Sequence, residues 1–143
     1  MKKDVPISWY FDNAVFEKEL THLFEKYPDY MGHRLMVPQP NDFYVLEREK
    51  KGKTLFNRSD HYVLLSNICR HHQALLLKGK GNTNKIICQA HRWAYNSNGQ
   101  LINAPQFEKN PCLDLSNRKL MEWLGLLFLQ KDVPMPICKG SLS

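Results

Sequence analysis

Two short motifs, each carrying one thiol and one imidazole, constrain this chain more than anything else in it. Cys69-Arg70-His71 is followed, after sixteen residues, by Cys88-Gln89-Ala90-His91. The halves lie at the ends of predicted strands, joined by a hairpin-like segment over residues 74–87. Two such loops can approach like fingers and close on a metal centre. Four ligands of two types suit either a zinc ion or a mixed-ligand iron–sulfur cluster. Common zinc pairs place like ligands close together, two cysteines or two histidines a few residues apart. Here each pair is mixed, and the first has a single intervening residue. Two mixed pairs deliver two cysteines to one iron and two histidines to another if Cys69 meets Cys88 and His71 meets His91. A Cys/His nucleophile pair built on Cys69 or Cys88 is also conceivable, but it leaves the second thiol–imidazole pair unexplained.

The rest of the chain reads as one mainly β domain over residues 1–143. Its length argues for a single core and needs no disulfide framework. Hydrophobic residues make up 43% and charged residues 24%, an ordinary globular balance. A helix is predicted over residues 13–27, capped by Asp12 or Asn13 and ended by Pro28. Phe16, Leu20, Leu23, Phe24 and Tyr27 fall on one side of it and read as a packing face. Short strands with glycine and asparagine turns follow. They are predicted at 43–48, 54–56, 62–66, 85–88, 93–95 and 100–102, with a last apolar run over 120–129. The Leu75-Leu76-Leu77 run reads as core or cover. The tail from about residue 133 reads as irregular.

Charge and compartment exclude some functions. The net charge is +6, from 20 basic and 14 acidic residues. The lysine groups around Gly52 and Gly79 look like solvated turns, and no Arg/aromatic pattern of a nucleic-acid module is visible. No apolar run is long enough to span a membrane, and no apolar stretch follows the basic N-terminus. The expected compartment is therefore the cytoplasm, with Cys112 and Cys138 as free thiols.

Cys-x-His, sixteen residues, then Cys-x-x-His is the Rieske motif. The flanks Leu65-Ser66-Asn67-Ile68 and Arg92-Trp93-Ala94-Tyr95, followed by Gly99-Gln100-Leu101, resemble the N-terminal domain of ring-hydroxylating oxygenase large subunits. So do Trp9-Tyr10-Phe11-Asp12, Gly32-His33, Ala104-Pro105, Asn110-Pro111-Cys112-Leu113 and Trp123 to Phe128. The resemblance covers about Ser8 to Leu129. It implies a Rieske-type antiparallel β-sandwich with a small cluster-binding subdomain and one N-terminal helix. It implies a 2Fe-2S cluster on Cys69, His71, Cys88 and His91, in loops around 69–72 and 88–93. It further implies a ferredoxin or flavin reductase as electron donor, a mononuclear iron in a catalytic domain as acceptor, and a possible homotrimer. A solvent-facing His71 or His91 would be the exit route for the electron. Alternatives are a stand-alone Rieske ferredoxin and a structural zinc module.

Two departures stand out. Many relatives read Cys-Pro-x-His-Gly-Trp in the second loop; here Gln89 replaces the proline and Arg92 the glycine. The catalytic domain's acid and two spaced histidines are absent, and no histidine follows His91. The chain is therefore not expected to oxygenate a substrate alone. Trp93 is expected either to shield the cluster from water or to be an ordinary strand aromatic. His72 should line the loop or face solvent, His22 should be a surface residue of the helix, and His33 and His61, near turns, have no partner at metal spacing.

Overall fold

The computed structural model describes residues 4–47 and 52–130. The tail expected to be irregular and Cys138 lie outside them, as do residue 48 of the first predicted strand and Lys51 of the turn after it. Alternation along the central strands sets the architecture. In β3 (Lys53–Asn57) and β4 (Tyr62–Ser66), Phe56, Val63 and Leu65 point to one face of the sheet. Leu55 and Leu64 point to the other. Successive strand residues face opposite ways, so a run that is apolar at both parities is buried on both sides. These strands sit inside a five-stranded antiparallel sheet of order β5-β2-β3-β4-β9, with β2 at Asp42–Leu46, β5 at Lys80–Asn82 and β9 at Asn117–Lys119.

Each face is covered by a three-stranded sheet. On one side lie β6 (Lys85–Ile87), β7 (Ala94–Asn96) and β8 (Leu101–Asn103). They enclose a core of Phe43, Phe56, Val63, Leu65, Ile86 and Tyr95 that also contains Cys69 and Cys88. On the other side β1 (Asp29–His33), β11 (Leu126–Leu129) and β10 (Met121–Trp123) pack in the order β1-β11-β10. Their core is Met31, Leu46, Leu55, Leu64, Leu127 and Leu129. The antiparallel sandwich that the resemblance implies is thus two cores sharing one central sheet.

Two turns show why glycine is required. Asn96 Oδ1 accepts from the Asn98 and Gln100 amides, closing the β7–β8 connection. Gly99 in that turn has φ +82°, and a Cβ there would lie 2.6 Å from Leu65 Cδ1. Leu124 and Gly125, at φ 50° and 84°, split the predicted 120–129 run into the β10–β11 hairpin.

The N-terminal helix departs from expectation. Asp12 caps it through Ala14 N at 2.8 Å, but the α-helix covers only Asn13–Glu19 and continues as a π turn over Leu20–Phe24. Its apolar side is not a packing face for either core. No residue from Ile7 to Phe24 is buried, and Trp9, Tyr10, Phe11, Phe16, Leu23 and Phe24 are all at least half exposed. The helical spacing was correct, but spacing does not say what covers the face.

Candidate metal centre

The two predicted ligand loops are built on the same backbone plan. In the first, Cys69 N donates to Ala74 O at 2.8 Å and Gln73 N to Cys69 O at 3.0 Å. In the second, Cys88 N donates to Trp93 O at 2.8 Å and Arg92 N to Cys88 O at 2.9 Å. Each loop closes through a left-handed residue four positions after its cysteine, Gln73 at φ 59° and Arg92 at φ 64°. Each buries its cysteine: Cys69 is 1% exposed and Cys88 2%. The histidines then fall at the loop tips.

Asn67 anchors the first loop. It is buried, and its side chain clamps both sides of the loop base: Nδ2 donates to Leu77 O at 2.9 Å, and Oδ1 accepts from Leu77 N at 2.8 Å. A buried amide with both ends satisfied fixes the loop's exit and entry together. The second loop is held by its strands, β6 and β7, which pair from Lys85↔Asn96 to Ile87↔Ala94.

At the tip three imidazoles gather. The His71 ring lies edge-on to His91 at 4.7 Å between centroids and edge-on to His72 at 4.0 Å. Trp93 stacks flat beneath His71, 4.7 Å away and 11° from parallel, and Phe107 stands edge-on to Trp93 at 5.4 Å. Trp93 is 1% exposed. Trp93 thus forms a buried wall against the His71 imidazole. His91 and His72 are exposed, whereas His71 is only partly so. Burial, and then the neighbouring His72 and His91, hold the His71 pKa below the ordinary histidine value. The ring therefore stays neutral, the form that binds a metal.

Tyr95 was missed by the sequence reading as a site residue. Its Oη accepts from Arg70 N at 3.2 Å and lies 3.5 Å from Cys69 Sγ. The amide donates into the oxygen, so the hydroxyl proton is left for the sulfur. Burial, followed by the Cys69 contact, pushes the tyrosine pKa up, so it remains a donor. Period-two alternation after the second motif could have found it, since Trp93 and Tyr95, two residues apart, are both buried in the core under the loops.

The other candidates are accounted for locally. His33 Nδ1 accepts from Leu35 N at 3.1 Å and caps the Arg34–Met36 turn. His22 bonds Lys18 O at 3.0 Å, and His61 meets Asp60 at 2.7 Å. Cys112 is a free thiol.

The donor set can be tested against the cluster. His71 Nδ1 is buried and has no hydrogen-bond partner, a costly state for a ring nitrogen unless a metal or a water satisfies it. Cys69 and Cys88 are buried free thiols in one core. Among the described residues no three His, Cys, Asp or Glu side chains converge as ligands of a single ion. Two buried thiols in one core and two neighbouring imidazoles are the donor types that a mixed-ligand iron–sulfur cluster uses.

This arrangement defines a class of protein. Residues 30–120 match the Rieske [2Fe-2S] domain, and the chain belongs to that family, whose domain binds a 2Fe-2S cluster. Among curated proteins it is similar to putrescine 2-hydroxylase of Ralstonia nicotianae, with 46% identity over 87% of this chain and 34% of that protein. Chlorobenzene dioxygenase subunit alpha of a Cupriavidus species is 26% identical over 89% of this chain and 30% of that one. Among solved structures, the quaternary ammonium Rieske monooxygenase CntA with γ-butyrobetaine superimposes with a TM-score of 0.69 at 25% identity, covering 89% of this chain and 38% of that one. The chain spans about a third of the length of the curated relatives it matches. No helix among the described residues is long and apolar enough to cross a membrane.

Proposed function

We propose that Cys69 and Cys88 hold one iron of the 2Fe-2S cluster and His71 and His91 the other, and that the chain relays single electrons within a Rieske oxygenase. One observation carries the assignment: two loops of like build each bury a thiol and raise an imidazole beside the other, with His71 Nδ1 left unpaired at the join. When bound, the cluster supplies one-electron redox chemistry at a potential raised by its imidazole ligands, roughly −150 to +300 mV. The protein's own part is positional. Trp93 fixes the plane of His71 and excludes water from one side of it. Tyr95 donates a proton toward the Cys69 sulfur. His91, exposed at the tip, is the path by which an electron enters or leaves.

On this reading the donor is a reductase or ferredoxin and the acceptor a mononuclear iron in a catalytic domain. The bare apolar side of the N-terminal segment supports a further body packing there, as a carrier working alone would leave it in water. For the whole enzyme, whose substrate the sequence does not name, an aliphatic amine is a better-supported class than an arene. The two putrescine 2-hydroxylases are 46% and 38% identical to this chain, against 26–30% for the aromatic dioxygenases.

Iron and sulfide analysis with reduced-state EPR tests the ligand set. Wild-type protein should carry two irons and two sulfides with the spectrum of a mixed Cys/His cluster. His71→Ala and His91→Ala should each abolish or alter that spectrum, and His72→Ala should not. A zinc content with no EPR signal, or an unchanged spectrum in either alanine variant, would overturn the assignment.

A further inference from the structure

A cavity of about 300 Å³ lies between β1 and the end of β2. β1 is an edge of its three-stranded sheet, and β5 pairs with β2 only as far as Tyr44. The last two residues of β2 therefore have no paired strand outside them, and the two sheets meet there without a covering element. Met31 and Leu46, on the cavity wall, belong to the core across the central sheet from Cys69 and Cys88. The cavity is thus remote from the ligand loops.

Its shape is set by the backbone. The register of β1 against β11 shifts between Tyr30 and Gly32, and a bulge of this kind re-aims the side chains around it. Gly32 lets Met36 come close, since a Cβ there would lie 2.9 Å from Met36 Sδ. That sulfur accepts from the His33 amide at 3.3 Å, which holds it in place. The resulting lining has two thioethers, the Leu46 side chain and the rings of Tyr30 and Tyr44. Glu47, exposed at the rim, is its one charged side chain. The Glu47 carboxylate makes no ion pair among the described residues. Lys53, opposite Leu46 on β3, lies outside the lining and has a partner of its own.

Aromatic faces and polarizable sulfur attract a cation carried on a small apolar body, and a carboxylate at the rim adds to that attraction. An anionic ligand would be repelled by Glu47 and would find no cation in the lining. The volume is at the small end of ligand sites, which suits a small ion. We propose that this cavity binds a small alkylammonium ion. The central sheet separates the ion from the thiols, so it takes no part in moving electrons. Bound between β1 and β2, it stabilises the folded domain by mass action. The site does not depend on the electron-relay reading and would survive that reading's failure.

Choline is the probe, with 3,3-dimethylbutan-1-ol as its uncharged isostere, at constant ionic strength. Both are titrated into the full chain labelled with 13C in the methionine methyl groups. Choline should shift the Met31 and Met36 methyl signals saturably and leave Met121 in place. The alcohol should bind about tenfold more weakly. Glu47→Gln, a surface change, should weaken choline about threefold. Tyr44→Leu should do so by a similar factor, about threefold, whereas Tyr44→Phe, which keeps the ring, should bind as wild type does. Equal affinity for choline and the alcohol would overturn the cation preference and leave an apolar hollow. Absence of saturable shifts at Met31 and Met36, or wild-type affinity in both Glu47→Gln and Tyr44→Leu, would overturn the site itself.

Discussion

At the scale of single residues, the hydroxyl of Tyr95 is the most informative group. It receives the Arg70 amide and lies 3.5 Å from Cys69 Sγ. A donor to a cluster sulfur favours the more negative, reduced state. Tyr95→Phe should therefore lower the midpoint potential, by about 50 mV, which for one electron corresponds to somewhat under a tenfold change in the reduction equilibrium. Protein-film voltammetry measures it, and an unchanged potential would place that proton elsewhere. The same variant leaves the Arg70 amide without its acceptor, so a stability loss of about 1 kcal/mol should accompany the shift. His71 gives a pH dependence. Its folded pKa is held below the ordinary 6.5, first by burial and then by its imidazole neighbours. Below that value the unfolded chain binds a proton that the folded ring refuses, so the cluster-free protein should lose stability as pH falls from 6.5 toward the folded pKa. Above 6.5 neither state is protonated at this ring and its contribution is flat. Urea midpoints across about pH 5 to 8 should show this slope in wild type and a smaller one in His71→Asn.

At the scale of elements, strands were legible where alternation and turn chemistry coincided, and the N-terminal segment was legible only in part. Tyr62–Ser66 is a strand at the predicted bounds, because its apolar residues serve both cores and its ends are marked by polar turns. β1, β5 and β9 were not foreseen. β5 is Lys-Gly-Asn, which reads as a turn and is drawn into the sheet by pairing with β2, a non-local effect that propensity does not carry. The four candidate ligands were legible because the motif fixes spacing, whereas Tyr95 and Asn67 act through contacts across the fold that no local pattern announces. The helix cap at Asp12 was also legible, but the fate of the apolar side was not. That side contributes no buried residue, so deleting the chain through Tyr27 should change the unfolding free energy by no more than about 0.5 kcal/mol. It should also leave the EPR spectrum unaltered. Calorimetry of the two forms checks this, and a midpoint lowered by many degrees would show that the segment packs on the sheets after all. The same deletion should abolish association with a catalytic domain supplied in trans, if that is the body the segment covers.

At the scale of the whole molecule, the two cores make different demands. The core under the loops includes Cys69, Cys88, Trp93 and Tyr95, so on the proposed ligand assignment part of its integrity depends on the metal group. The opposite core, built on Met31, Leu55, Leu64, Leu127 and Leu129, contains no candidate ligand and closes by apolar packing alone. Because ligand sites of this kind are not preformed in an unfolded chain, the binding free energy of the group is folding free energy. It is felt most where the ligands sit. Removing the iron with a strong chelator should therefore loosen the molecule unevenly. Amide exchange should accelerate over residues 67–77 and 85–96, where the two loops and their supporting hairpin depend on the joined tips. It should change little in β1 and β11, whose pairing from Asp29↔Leu129 to His33↔Leu126 is independent of the loops. β3 and β4 lie between, with one face on each core, and should show the intermediate response. Hydrogen-exchange mass spectrometry of the loaded and stripped forms resolves these segments. Uniform acceleration through all three sheets would mean that the cores fold as one unit, and that the loop tips hold the entire domain together.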